Sequence, residues 1–478
     1  MKIENLKKFL PPIYFCILFF VFIYRVYFLD LNFRPSYLSL FLSITFIGLC
    51  FLSLHLFLLE NEKKNNFPFI FLIVLYLLST YGFSFELIGE YLSDKDQKVI
   101  VKAFIIINLA IIFLNVGYFS SKIFFKKKRL GFKFLEARSY SHLILIAVFF
   151  LFINFFNKLY DVVPSNLNQI IVPIVAISCS IIFYSIIKLK DIKNYLYIFF
   201  IFVTIFLEIL SSSYVFPASL VLIYFVVYVI VNRKIPVILI LLFAIFFFTL
   251  HLHKNEFRLN LSLDNYNTVE RSKIFLKFYS TVLKSESSEY IILDKNKKKS
   301  FIAGTASDPI RAKNNNWRLA HSFSSLIILL EKTPSSINYL KGETYKILLS
   351  KFIPRVIWKE KPNDTIANSI GKKYSVLGPT DISTSWNLPI INEAYINFGF
   401  YGVIIISFLL GLVVRFFSEI FSINNFNNAE SHIGIYLCCS TFFWEPHLSL
   451  VYGGIYYPII FLYFSMTIMI YIFNRFLK

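Results

Sequence analysis

Three short segments of this chain concentrate the side chains that could hold an anion or move a proton. The first is Trp317-Arg318-Leu319-Ala320-His321. The second is Phe352-Ile353-Pro354-Arg355-Val356-Ile357-Trp358-Lys359-Glu360-Lys361-Pro362. The third is Asn392-Glu393-Ala394-Tyr395-Ile396-Asn397-Phe398-Gly399-Phe400-Tyr401-Gly402. In the second, Arg355, Lys359 and Lys361 stand among aromatic residues and prolines. A guanidinium is a planar fork of donors that matches phosphate oxygens two at a time, and Pro354 and Pro362 stiffen the backbone around it. In the first, Arg318 and His321 are spaced to share a helical face, where a cation beside an imidazole could bind phosphate and accept a proton. In the third, Glu393 and Asn397 share a face if a helix starts there, and Gly399 and Gly402 would admit a second helix or a ligand. Each segment also has a plainer reading. Trp358 and the lysines suit the headgroup level of a membrane, Glu393 suits a helix N-terminus, and Arg318 with His321 suits an exposed surface.

The elements that must position these residues are set by hydropathy. The chain has 478 residues, 57% of them hydrophobic, and a mean hydropathy of +0.65. That excludes an ordinary soluble domain. The apolar residues come in blocks long enough to cross a bilayer core of roughly 30 Å at about 20 residues per helix. Lipid offers backbone groups no partner, so the blocks must be helices. About twelve spans are predicted with a window of about 19 residues. They lie near 11–29, 37–59, 67–87, 99–121, 141–157, 168–187, 195–212, 214–231, 235–252, 394–417, 432–450 and 454–473. The two around Pro217 are separated only by Ser211-Ser212-Ser213. The first block follows a short basic segment with no small-residue cleavage site after it, so it reads as an uncleaved span. The expected fold is all-α: a polytopic transmembrane bundle with one large, mainly helical loop. Spans occupy 1–252 and 394–478, and the loop 253–393.

The short connections alternate in charge. One set carries Lys7-Lys8, Lys63-Lys64, Lys126-Lys127-Lys128-Arg129, Lys188, Lys190, Lys193, Arg233-Lys234 and Arg475; the other has only Arg34, Lys95, Lys98 and Lys158. Basic connections stay inside, which places both termini in the cytoplasm and the large loop outside. In that loop, 320–330 and 345–358 read as amphipathic or partly membrane-dipping helices. Its excess of basic residues suits an anionic partner at the outer surface, such as a lipid phosphate.

Other ionisable residues fall toward the outer ends of spans: Arg25, Glu86, Glu208, and Glu445 with His447. Such residues are functional hypotheses by default, and an outward-open polar cavity would account for them together. The five cysteines, Cys16, Cys50, Cys179, Cys438 and Cys439, all lie in apolar blocks without metal-ligand spacing and read as small apolar side chains. Asp94-Lys95-Asp96 is a short acidic pair of a kind that holds a metal in many sugar transferases, but it sits in a plainly polar loop. No phosphate-cradling glycine loop and no Ser/His/Asp arrangement stands out.

The three segments, in this order and location, resemble the polysaccharide polymerases of the O-antigen (Wzy-type) family. The resemblance rests on Pro354, Arg355, Trp358, Lys361 and Pro362, followed by Glu393, Tyr395, Asn397, Phe398 and Gly399. Arg318-Leu319, Thr333-Pro334 and Gly342-Glu343-Thr344-Tyr345 also fit the pattern. It covers roughly 318–402 in sequence and the rest of the chain only in topology. It implies a metal-independent glycosyltransferase of the bacterial inner membrane. A growing glycan on undecaprenyl pyrophosphate would pass to a sugar hydroxyl of another lipid-linked repeat unit, outside the cytoplasm. Lipid pyrophosphate is the leaving group, so no cofactor, nucleotide sugar or ATP is expected. The resemblance implies Arg318 and Arg355 on the pyrophosphate with Lys359 or Lys361 assisting, Glu393 or His321 as general base, and Trp358, Tyr395 and Asn397 in support. Membrane lipid, a chain-length regulator and a flippase are the implied partners, and no nucleic acid. A ligase of similar architecture is one rival. A lipid-linked oligosaccharide transporter is another, although no internal repeat is visible. A non-catalytic envelope-assembly protein is a third.

Overall fold

A backbone in lipid must close its own hydrogen bonds, and the long regular elements among the described residues are accordingly helices. The structure is a computed structural model. It describes residues 14, 16–25, 35–60, 69–124, 140–160, 168–189, 195–210, 215–232, 234, 257, 268–282, 321–351, 358, 360, 365–381, 385–420, 429–440, 448, 467–468, 470–472 and 475. The first half carries α1 (Cys16–Arg25) and α2 (Tyr37–Glu60), then α3 (Phe69–Leu77), which runs into a π-helical turn at Leu78–Gly82. It continues through α4 (Ser84–Ser93), α5 (Gln97–Phe124), α6 (Tyr140–Tyr160), α7 (Asn168–Tyr184), α8 (Tyr195–Leu210) and α9 (Val215–Asn232). The region expected to be the large loop contains α10 (Thr268–Val282), α11 (His321–Lys332), a tight turn at Glu343–Tyr345, α12 (Lys346–Lys351) and α13 (Ile366–Lys373). Then come α14 (Ile390–Ile420) and α15 (Ala429–Ser440).

Five of these helices, α2, α5, α6, α7 and α14, are long and apolar enough to cross a membrane, and α1, α3, α8 and α9 are shorter apolar helices. The chain is therefore a multi-pass helical membrane protein. Stripes such as Phe149, Phe152 and Phe156 on α6, and Phe199 and Phe202 on α8, face outward. Aromatic patches of that size suit lipid rather than water. The expected span 235–252 and most of 454–473 lie outside the described residues. The pair around Pro217 is two helices, with Pro217 in the first turn of α9, where its missing N–H has no helical acceptor to lose.

The centre of the bundle is the crossing of α5 and α14. A Cβ on Gly117 would lie 2.1 Å from the Phe408 carbonyl oxygen, and one on Gly411 would lie 2.2 Å from that of Leu114. The two backbones meet directly, as small residues allow between membrane helices. Polar residues in the spans bond to their own or a neighbouring helix. Asn108 donates to Phe104 O and to Leu42 O, and Asn115 donates to Ile111 O and to the Ser53 hydroxyl, joining α5 to α2.

The buried charges are engaged. Glu208 pairs with Lys158 at 2.7 Å, joining α8 to α6. Arg25 donates to the Ser43 hydroxyl and to the Gly82 carbonyl, each at 2.6 Å, and lies over the Phe85 ring. At the opposite end of the bundle Arg415, fully buried, bonds Glu60 at 2.9 Å and Glu419 at 2.7 Å and faces the Tyr118 ring. Arg25 and Glu208 thus hold helices together, and the expected polar cavity does not gather them. The side chains of Glu86, Glu445 and His447 lie outside the described residues. The acidic pair in the loop before α5 is likewise structural. Asp96 caps α5 by accepting the Lys98 N–H at 2.9 Å, and Lys95 bridges to Glu331 at the end of α11 at 3.0 Å. Among the described residues, no three His, Cys, Asp or Glu side chains gather in a way that could hold a metal ion.

The loop helix expected near 320–330 forms as α11, but it is not a surface amphipath. Nearly every side chain from His321 to Leu330 is buried, against α5, α14 and the π turn of α3. Its serines tolerate this because their hydroxyls bond back to the helix: Ser324 to His321 O, and Ser325 to His321 O and Ser322 O. The helix expected over 345–358 begins as α12; residues 352–357 lie outside the described residues.

Candidate active site

The site is built on a break in α14. Pro389 ends the incoming segment and its carbonyl accepts the Glu393 N–H at 3.0 Å, so Asn392 and Glu393 lie in the first turn. Six residues on, Gly399 adopts φ 65°, ψ −147°, a conformation open essentially to glycine alone. The break withdraws the N–H groups that would have bonded the Ile396 and Asn397 carbonyls, and those oxygens must find other donors. They find them in the loop after α11. Leu340 N donates to Ile396 O at 2.9 Å and Lys341 N to Asn397 O at 3.1 Å. Gly342 N donates to the Asn397 side-chain oxygen at 2.9 Å.

Asn397 completes the clamp. Its amide nitrogen donates to the Thr344 hydroxyl and to the Glu393 backbone carbonyl, both at 2.8 Å. The Tyr345 ring stacks on Phe398, with centroids 6.2 Å apart and planes 29° from parallel. Tyr339 packs so closely over Gly399 that a Cβ there would lie 3.0 Å from its hydroxyl. Two of the sequence segments singled out above, Gly342-Glu343-Thr344-Tyr345 and the run from Glu393 to Gly399, therefore interlock. Gly402 admits neither a second helix nor a ligand: a Cβ there would meet the Ala394 carbonyl of its own helix at 2.4 Å.

Asn392 ties the start of α14 to two other elements. It donates to Ser322 O and to the Ser325 hydroxyl in α11, both at 2.8 Å, and accepts the Tyr81 hydroxyl of the π turn at 3.0 Å. The Tyr76 and Ser322 hydroxyls share a further bond at 3.2 Å. His321 begins α11, buried, with Nε2 3.0 Å from the Asn387 carbonyl oxygen. A carbonyl only accepts, so Nε2 carries the proton of that bond. Glu393 is fully buried, and one carboxylate oxygen accepts the Leu448 N–H at 2.7 Å. Burial, and then the neighbouring Glu393 carboxylate, push the pKa of the Tyr345 hydroxyl well above the ordinary phenol value.

The structure thus brings together Glu393, Asn397, Tyr345 and, through Asn392, the start of the helix that carries His321. Tyr395 faces elsewhere. Its hydroxyl donates to Thr333 O at 3.1 Å and its ring meets Tyr339 edge-on, so it holds the loop rather than the carboxylate. Trp358 is exposed. Arg318, Arg355, Lys359 and Lys361 lie outside the described residues. Sequence reasoning missed Asn392, Tyr81, Ser322 and Tyr345 as members of the site. Asn392 and Tyr345 stood inside segments already singled out; Tyr81 and Ser322 carry no pattern that distinguishes them from other hydroxyls in spans.

Beside this site, α3, its π turn, α5 and α14 border a small, largely apolar pocket of about 20 Å³, lined by Tyr76, Tyr81, Leu114, Ile390, Ile391 and Leu410 among others. Compared with protein-family models, curated proteins and solved structures, the chain matches none.

Proposed function

We propose that this chain polymerises undecaprenyl-pyrophosphate-linked oligosaccharide repeat units into a surface polysaccharide at the outer face of a bacterial inner membrane. The reading rests on the sequence resemblance. The observation that supports it most is the carboxylate of Glu393, buried at the head of α14 beneath a loop clamped to the same helix through Asn397.

In this reading Glu393 takes the proton of the acceptor sugar hydroxyl. The freed oxygen pair forms the new bond to the anomeric carbon of the donor, and the carbon–oxygen bond to the lipid pyrophosphate breaks. The pyrophosphate leaves with that electron pair, its charge met by Arg318, Arg355 and Lys359 or Lys361. His321 Nε2 donates to the Asn387 carbonyl and so fixes the chain at the start of α14, and this reading takes Glu393 as the base.

The test is a gel of surface polysaccharide from a strain lacking this gene beside its complemented parent. Polymerase function predicts that the ladder collapses to a core carrying one repeat. Loss of every repeat would point to a ligase or a transporter, and an unchanged ladder would overturn the reading.

A further inference from the structure

The head of α14, residues 390–398, is separated from the rest of its helix by the break at Gly399. Its orientation is therefore not inherited from the long span that follows; side-chain ties must set it. Asn397 supplies the tie to the loop after α11. Asn392, also fully buried, supplies the other. At about 100° per residue the two leave the head about 140° apart, with Glu393 between them.

The second tie runs through the π turn of α3. Tyr81, fully buried within that turn, donates its hydroxyl to Asn392 Oδ1 at 3.0 Å. Asn392 Nδ2 donates to Ser322 O and to the Ser325 hydroxyl. With its oxygen and its nitrogen both engaged, the amide has one orientation. A π turn is rare and is frequent at functional sites. This one is pinned by another helix: Arg25 of α1 donates to the carbonyl of Gly82, the residue after Tyr81, and its other terminal nitrogen donates to Ser43 of α2.

Resting on the polymerase reading with Glu393 as its base, we propose that Tyr81 is a positioning residue for the reaction: held in the π turn that Arg25 pins, it fixes the rotation of the α14 head through Asn392 and so aims the Glu393 carboxylate at the acceptor sugar hydroxyl. Tyr81 acts through Asn392 and touches neither the sugar nor the pyrophosphate. A base must come within hydrogen-bond reach of the proton it takes. A small rotation of the head therefore slows the chemical step, while the cations proposed for the pyrophosphate stand on other segments and keep their hold.

The experiment uses the full-length protein in proteoliposomes, supplied with lipid-linked repeat units extracted from a strain lacking this gene. Tyr81→Phe keeps the ring and removes only the oxygen that reaches Asn392. The expected result is a rate at saturation lowered about tenfold or more, with the apparent KM for repeat units within about threefold of wild type. Arg415→Met, which weakens the fold at the far end of the bundle, is the comparison. It should lose at least as much thermal stability and keep its rate per folded molecule. A wild-type rate in Tyr81→Phe would overturn the inference. So would an equal fall in rate in Arg415→Met, since the loss would then be one of general stability, and so would a loss carried by KM alone. If Tyr81→Phe does not reach the membrane, Ser325→Ala, which severs another bond of Asn392, is read by the same outcomes. Failure of the wild type itself to polymerise the units would instead overturn the polymerase reading, and this inference with it.

Discussion

The side-chain oxygen of Asn397 accepts the backbone N–H of Gly342 at 2.9 Å. With the bonds from the Asn397 amide to Thr344 and to the Glu393 carbonyl, one buried side chain satisfies three groups on two segments. Asn397→Ala leaves those groups without that partner, each at about 1–3 kcal/mol when it stays buried. We expect a loss of at least about 2 kcal/mol in detergent unfolding, and new proteolytic cleavage within 339–345. An unchanged melting curve and cleavage pattern would contradict the clamp.

Gly399→Ala tests the break itself. Alanine at φ 65° is strained and its Cβ would press on Tyr339. The expected cost is about 1–3 kcal/mol. Hydrogen exchange should quicken at Leu340, Lys341 and Gly342, whose N–H groups depend on the break, and not in α5.

Arg415→Met probes the far end of the bundle. Removing one partner of a buried ion pair costs about 3–5 kcal/mol. The lower end is expected here, because the Glu419 side chain keeps 33% of its exposure and can turn to solvent. Unfolding should move to lower temperature while activity per folded molecule stays at the wild-type level. Activity lost without any loss of stability would mean that Arg415 has a role outside packing.

Arg355→Lys keeps the charge and removes the bidentate fork. If Arg355 grips the pyrophosphate in the proposed way, most polymerising activity should be lost at normal membrane levels. Full activity would remove that role from Arg355.

The helical membrane architecture was legible because hydropathy reports directly on the solvent around a helix, and the long blocks at 37–59, 99–121 and 394–417 correspond to α2, α5 and α14. The depth of α11 was not legible. A run with three serines reads as half-exposed until the back-bonds of Ser324 and Ser325 are seen. Glycine spacing at 399 and 402 was read as room for a neighbour, and the φ of Gly399 shows a break in the helix instead. Spacing cannot report a backbone angle. Arg415 was overlooked although an arginine inside an apolar block is a signal in its own right, and its partner Glu60 lies far off in sequence. At the site, Glu393 and Asn397 were found from their spacing, but Asn397 bonds the Glu393 carbonyl rather than its carboxylate. The long-range bonds of Asn392 to α11 and to the π turn of α3 have no sequence signature.

Glu393→Gln tests the central claim most directly, because it keeps the shape of the side chain and removes the base. The measurement is the polysaccharide ladder of a deletion strain carrying either wild type or Glu393→Gln at matched membrane levels. The wild-type gene should restore long chains, and Glu393→Gln should leave only the single-repeat product. Chains of ordinary length from Glu393→Gln would contradict the assignment of Glu393 as the general base.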